Sequence, residues 1–198
     1  MSSINKEKLR CRAIDPEKEI DLLFGMVTAD FPDFEGQPLD LLRAATERKA
    51  IKAVFLTDGE TICGYALHQK TPHFSMRHLL YFAILPTFRS AGLGGNFLAL
   101  LKQGVPQGLL LEVEDPDAAQ QDHAEWLCRK KRIAFYERNG LQLFSAFRFS
   151  EFGHPLRVMS SAQLPSKQDW LAFYRALYNQ MYGFPLAEKV IQPGAARF

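Results

Sequence analysis

The spacing of apolar residues changes its period several times along the chain. Lys8–Ala13 alternates loosely, with the period of a half-exposed strand. Asp15-Pro16 has the form of a helix N-cap followed by proline in the first turn. Ile20, Leu23, Phe24 and Val27 then recur at helical spacing. The Pro- and Gly-bearing stretch Phe31–Pro38 reads as a loop, and Leu39–Lys49 as a second helix. Ala50–Thr57 and Thr61–Lys70 read as strands joined through Asp58-Gly59, a short hairpin signal.

Beyond this hairpin the strands become continuously apolar. Arg77–Leu85 predicts a strand whose second half is buried on both faces, and Leu109–Val113 another. Leu93–Gln103 between them has a helical pattern. Asp117–Asn139 is polar at first, then helical up to Asn139-Gly140, which has the form of a C-cap. Leu141–Phe149 and Leu156–Ser160 read as late strands. Ser166-Lys167-Gln168-Asp169 predicts the opening of a final helix with Trp170, Phe173, Tyr174 and Leu177 on one face. The tail after Tyr182 has no clear pattern. A β-rich first half followed by alternating strands and helices predicts a mixed α/β (α+β) sandwich, with helices on both sides of one sheet.

Composition narrows the class of function. The 198 residues suit one domain, 1–198, without internal repeat or dividing linker. Hydrophobic residues make up 47% and charged residues 23%, which excludes a mainly disordered chain. Basic and acidic residues nearly balance, 24 against 22, so no nucleic-acid footprint stands out. Cys11, Cys63 and Cys128 fit neither a zinc pattern nor a disulfide framework. They point to free thiols in a reducing, cytoplasmic setting. Met1–Arg12 lacks the apolar stretch of a signal peptide. The longest apolar runs, Leu79–Leu85 and Phe97–Leu101, are far too short to span a membrane.

The most informative segment begins where the central apolar strand ends. Pro86 follows Leu85, and a short turn then carries Arg89, Gly92, Gly94 and Gly95 before an apolar helix. A helix start presents unpaired N–H groups and partial positive charge, and glycine lets a ligand approach the backbone. Together these make an anion site suited to a pyrophosphate. The spacing is not that of a Rossmann fingerprint, because Phe97 stands where the last glycine belongs, and no P-loop string is present. It reads R-x-x-G-x-G, as Arg89-Ser90-Ala91-Gly92-Leu93-Gly94. About 45 residues later comes Ile133-Ala134-Phe135-Tyr136-Glu137-Arg138-Asn139-Gly140-Leu141, which looks like A-x-F-Y-x-x-x-G-F with Leu141 in the last place. In this order, with a buried strand between them, the two motifs resemble those of the GNAT superfamily of acetyl-CoA-dependent N-acyltransferases. The resemblance covers roughly 50–149.

That resemblance implies one twisted mixed sheet of about seven strands. Leu79–Leu85 and Leu109–Val113 would splay to admit pantetheine. The backbone of Ala83, Ile84 and Leu85 would pair with its amides, as an added strand would. The amides of Arg89, Ser90, Ala91, Gly92, Leu93, Gly94 and Gly95 would hold the pyrophosphate of acetyl-CoA. Arg89 would either reach a phosphate or cap the loop. Ser90 stands where many relatives carry glycine. No metal is implied.

The implied reaction is acetyl transfer to an amine-bearing substrate by direct attack. The amine must lose a proton, the thioester carbonyl needs hydrogen-bond donors, and the thiolate needs a proton. The resemblance puts the Tyr136 hydroxyl near the sulfur. The strand backbone near Ile84 and Leu85 would supply the carbonyl donors. Three routes for the base stay open: His78 near the start of the central strand, Glu112 or Glu114 on the second strand, or ordered water. His78 is equally well a packed residue.

From Glu112 to Glu125 there are six acids without an intervening lysine or arginine, followed by Arg129, Lys130, Lys131 and Arg132. This segregation is either a solvated, charged helix start or an acidic rim attracting a cationic amine. Tyr65, His68, His73, Phe74 and Met76 are core residues or acceptor-pocket lining. Transfer of a longer acyl group and a non-catalytic CoA- or metabolite-binding sensor are the competing functions. Leu164–Phe198 would cover the acceptor site or build a homodimer contact.

Overall fold

A computed structural model describes residues 4, 6–31, 38–71, 76–103, 105, 108–162, 170–182 and 186–194, with the backbone alone at 145 and 146. The expected loop around Pro32–Gln37, the residues His73 and Phe74, and the helix opening at Ser166–Asp169 lie outside them. By backbone contacts the chain forms two compact units, Met1–Gln69 with Leu79–Pro106, and Lys70–His78 with Gln107–Phe198.

In the first unit, β1 (Leu9–Ala13) precedes α1 (Pro16–Asp30) and α2 (Leu39–Glu47). β2 (Lys52–Asp58), β3 (Thr61–Lys70), β4 (Arg77–Ile84) and α3 (Leu93–Lys102) follow. The strand order is β1-β2-β3-β4. β1 pairs antiparallel with β2, Leu9 opposite Asp58, and β2 antiparallel with β3. The N-cap expected at Asp15 is present: its side chain accepts from the Glu17 N–H at 3.2 Å, while Glu19 reaches back to the Asp15 N–H at 2.8 Å. Leu23, Val27, Leu42, Phe55, Leu56, Leu67 and Phe97 form the buried interior. Gly64 on β3 has a packing reason to be glycine. A Cβ there would stand 2.5 Å from the Ala83 carbonyl oxygen, closer than van der Waals contact permits.

The second unit takes the first residues of β4, then β5 (Leu109–Glu114), α4 (His123–Arg138), β6 (Gln142–Glu151) and β7 (His154–Ser160). It ends with α5 (Trp170–Tyr182), α6 (Leu186–Val190) and β8 (Ile191–Pro193). Its strand order is β5-β7-β6-β8, with each of these pairings antiparallel. Asp122 caps α4, accepting from the Ala124 and Glu125 N–H groups at 3.0 and 3.1 Å. Gly140, at φ +80°, follows the helix end. Trp170, Phe173, Tyr174, Leu177, Tyr178 and Met181 of α5 are buried, with the Tyr174 ring tilted against Phe149 at 4.6 Å between ring centroids. That apolar face is buried.

The fold is mixed α/β, as expected, with eight strands among the described residues rather than about seven. The additional one is β8, three residues long, in the tail where the sequence shows no pattern. Its pairing partner is β6, where Glu151 stands opposite Ile191. Among the described residues no helix is long and apolar enough to cross a membrane.

Candidate active site

The turn that the sequence marks as a candidate anion site lies in the first unit. β4 ends at Ile84, a 3-10 turn covers Pro86–Phe88, and α3 opens at Leu93. The Leu85 N–H donates to the Cys63 carbonyl at 2.9 Å, so this amide is engaged with β3. Arg89 caps the loop in this structure. Its Nε donates to the Ile84 carbonyl at 2.9 Å and its Nη2 to Asp30 Oδ1 at 2.6 Å. Asp30 Oδ2 in turn accepts from the Tyr65 hydroxyl at 3.1 Å. Arg89 therefore ties the end of β4 to the end of α1. Tyr65, His68 and Met76 are all buried, as core residues.

The turn itself contains two left-handed residues, Ser90 at φ +65° and Gly92 at φ +77°. Gly92 is the N-cap of α3 and leaves the first amides of that helix uncovered by any cap side chain. Ser90 adopts a conformation that glycine reaches without penalty, which is why its departure from the resembled motif costs stability and not the geometry. Replacing it tests this. Ser90→Gly is expected to raise unfolding stability by about 0.5–1 kcal/mol, the left-handed penalty less the added chain entropy of glycine. Urea titration reads it, and a stability loss would refute the strain.

The second unit holds the candidate acid and base groups. Tyr136 lies on the last turns of α4 and is 8% exposed. Burial pushes its hydroxyl up to about 12, against the opposing pull of Arg132 one turn earlier. It therefore keeps its proton at neutral pH. His78 is fully enclosed, with Nε2 2.7 Å from Glu112 Oε2. The three residues that compete as bases in the sequence are thereby sorted: His78 and Glu112 form one pair, and Glu114 pairs with Arg132. Glu112 is the outer member of its pair, 10% exposed against 0% for His78.

Three further residues join this pair without any sequence signal for the role. Glu151, at the end of β6, is buried and accepts from the Tyr178 hydroxyl at 2.9 Å. Burial, and after it the nearby Glu112, push its carboxyl up to about 8. Tyr174 faces Glu112, and burial with these two carboxylates raises both phenols well above the usual tyrosine range. Tyr174 reads as a core aromatic in the sequence. Tyr178, one helical turn later, is the only hint that a polar edge runs along the same face.

The acidic segment is not a free acidic rim. Beyond Glu112 and Glu114, Asp115 is buried against Arg157 at 2.9 Å and Arg148 at 3.3 Å. Asp117 pairs with Arg148 at 2.8 Å and Arg157 at 2.9 Å. Asp122 caps α4, and Glu125 pairs with Arg129 at 2.7 Å. Partly desolvated carboxylates require partners, and each of the six finds one inside the second unit. In the basic run, Arg129 and Arg132 make the pairs above, and Lys130 stands over the Trp126 ring at 5.7 Å.

No protein-family model and no curated protein matches the chain. Solved structures do. A protein assigned to the GNAT acetyltransferase family, from Bacteroides thetaiotaomicron, matches with a TM-score of 0.66 at 21% identity, over 88% of this chain and 98% of its own. An aminoglycoside 6'-N-acetyltransferase complexed with coenzyme A matches with a TM-score of 0.58 at 15% identity, over 79% and 99%. A Bacillus subtilis acetyltransferase in complex with CoA matches with a TM-score of 0.54 at 12% identity, over 79% and 100%. The chain thus has the fold of the GNAT-family acetyltransferases, the fold that its paired motifs imply.

Proposed function

We propose that the chain is a GNAT-type N-acetyltransferase, one functional domain over 1–198. It moves the acetyl group of acetyl-CoA to a primary amine of a small molecule or peptide, within a ternary complex. The observation that carries this reading is the turn from Arg89 to Gly95. It joins a buried strand to a helix whose first amides have no side-chain cap, and two of its residues are left-handed. That is a cradle for a pyrophosphate. The CoA-bound neighbours of the same fold support the assignment.

Each step has a candidate group. Ala83, Ile84 and Leu85 pair with pantetheine through the backbone groups that Cys63 and Arg89 leave open. The Leu85 amide is engaged, so the carbonyl donor is the Ile84 N–H. Glu112, backed by His78, takes the proton of the ammonium. The amine nitrogen bonds to the thioester carbon, the C–S bond breaks, and Tyr136 gives its proton to the sulfur. Glu114 is the weaker candidate, because Arg132 already pairs with it. The free thiols of Cys63 and Cys128 support a reducing, cytoplasmic setting.

Thiol release from acetyl-CoA, measured with a panel of primary amines, tests the reading. At least one amine should accelerate release over the amine-free rate. Tight CoA binding with no acceleration would favour the sensor instead. Faster release from longer acyl-CoA thioesters would favour a longer-chain acyltransferase.

A further inference from the structure

The buried pair His78–Glu112 has a second carboxyl beside it that the reaction above does not use. Glu112, on β5, pairs with His78, and Glu151, on β6, with Tyr178, and the His78 ring lies 6.4 and 6.1 Å from the Tyr174 and Tyr178 rings, so the five side chains form one cluster. Neither glutamate makes an ion pair with a lysine or arginine among the described residues. Two buried carboxylates beside a single imidazole, with no lysine or arginine partner, is a costly arrangement, and a proton on one of them lowers the cost.

The geometry decides which one keeps the proton. Glu112 has the imidazole at 2.7 Å and is the outer of the two. Glu151 has only a neutral phenol, the Tyr178 hydroxyl at 2.9 Å. The groups facing Glu151 are few. Tyr178 and Tyr174 come from α5, with Tyr182 beyond Tyr178, and Glu112 comes from β5 with His78 of β4 behind it. His154 of β7 stands opposite Glu151 in the hairpin register, half-buried, and Ile191 is the partner on β8. Arg175 on α5 has a buried Nε without a hydrogen-bond partner and makes no ion pair with Glu151.

We propose that Glu151 is a positioning residue for the acid–base pair: by holding a proton, it keeps a second negative charge away from His78 and Glu112. The inference rests on the acetyltransfer reading and acts through Glu112, since Glu151 itself touches no reacting atom. At higher pH Glu151 loses its proton, a second negative charge enters the cluster, and the pair is disturbed. The carboxyl titrates at about 8 when folded, above its ordinary value. A raised acid binds its proton more tightly folded than unfolded, so stability falls as pH rises from about 4.5 to about 8 and then levels.

Glu151→Gln mimics the protonated form and keeps an acceptor for Tyr178. It should flatten the fall of Tm between about pH 5 and pH 8, raising Tm over the parent most at the upper end. It should also move the alkaline loss of kcat/KM upward, so that the ratio of rates at about pH 9 and pH 7 rises severalfold over the parent. Tyr178→Phe removes the donor that favours the ionised form, and should shift both transitions upward while Glu151 remains. Unaltered Tm profiles in both variants would overturn the proposal, as would unaltered rate profiles. The two readings fail separately. If the parent releases no thiol with any amine, acetyl transfer is refuted, while the Tm profile of Glu151→Gln still decides whether Glu151 holds the proton.

Discussion

Tyr136→Phe lowers kcat by about tenfold or more and leaves the KM for acetyl-CoA close to the parent value, the pattern expected for the loss of a general acid. The hydroxyl is enclosed at the C-terminal turns of α4, and burial holds its pKa near 12, so it enters the reaction as a full O–H donor. A thiolate left without a donor must wait for water, and a tenfold loss corresponds to about 1.4 kcal/mol of transition-state stabilisation. Phenylalanine preserves the ring contact with Phe135, whose centroid lies 5.1 Å away, so packing changes little. Steady-state kinetics with a saturating amine decide the matter. A kcat equal to the parent's takes Tyr136 out of the chemistry.

The largest stability effect belongs to Asp115→Ala. Asp115 is 6% exposed in its side chain and engages two arginines, and it also caps the 3-10 turn Pro116–Ala119 through the Asp117 N–H at 3.0 Å. Removing it leaves Arg157, itself 8% exposed, with Asp117 alone. Breaking one partner out of a buried ion pair costs about 3 kcal/mol, which at this chain length is a Tm drop of roughly 10 °C. Asp117→Ala, at a site 37% exposed, should cost about 1 kcal/mol or less. Equal effects of the two substitutions would contradict the buried network. Measured well below its Tm, Asp115→Ala should also keep the parent KM for the amine, because Asp115 faces arginines and not substrate.

The contrast between the two sites explains what the sequence could reveal. The proposed pyrophosphate turn is local: Arg89, Ser90 and Gly92 act through their own backbone angles, and chain order alone carries that information. Whether Arg89 would cap the loop or reach a phosphate depended on Asp30, 59 residues away, and on the Ile84 carbonyl. The acidic segment misleads for the same reason. Its acids are consecutive in the chain, but their partners Arg148 and Arg157 lie 31 and 40 residues from Asp117. Charge counted along the sequence takes no account of the hairpin that brings those arginines back. His78 and Glu112 could each be picked out as proton carriers, but not as one pair, because 34 residues separate them. Glu151 gave no signal, since a lone acid at a strand end is ordinary until burial removes its water.

The cysteines give the protein a built-in attachment point. Cys63 is enclosed and burial raises its thiol, Cys11 is half-buried, and Cys128 is exposed on α4. With Cys11 changed to serine, a maleimide dye would couple at Cys128 and leave Cys63 untouched. Eight residues of helix separate Cys128 from Tyr136, about 12 Å along the axis of α4. A fluorophore placed there rides on the same rigid rod as the proposed acid, close enough to register ligand arrival and far enough not to obstruct it.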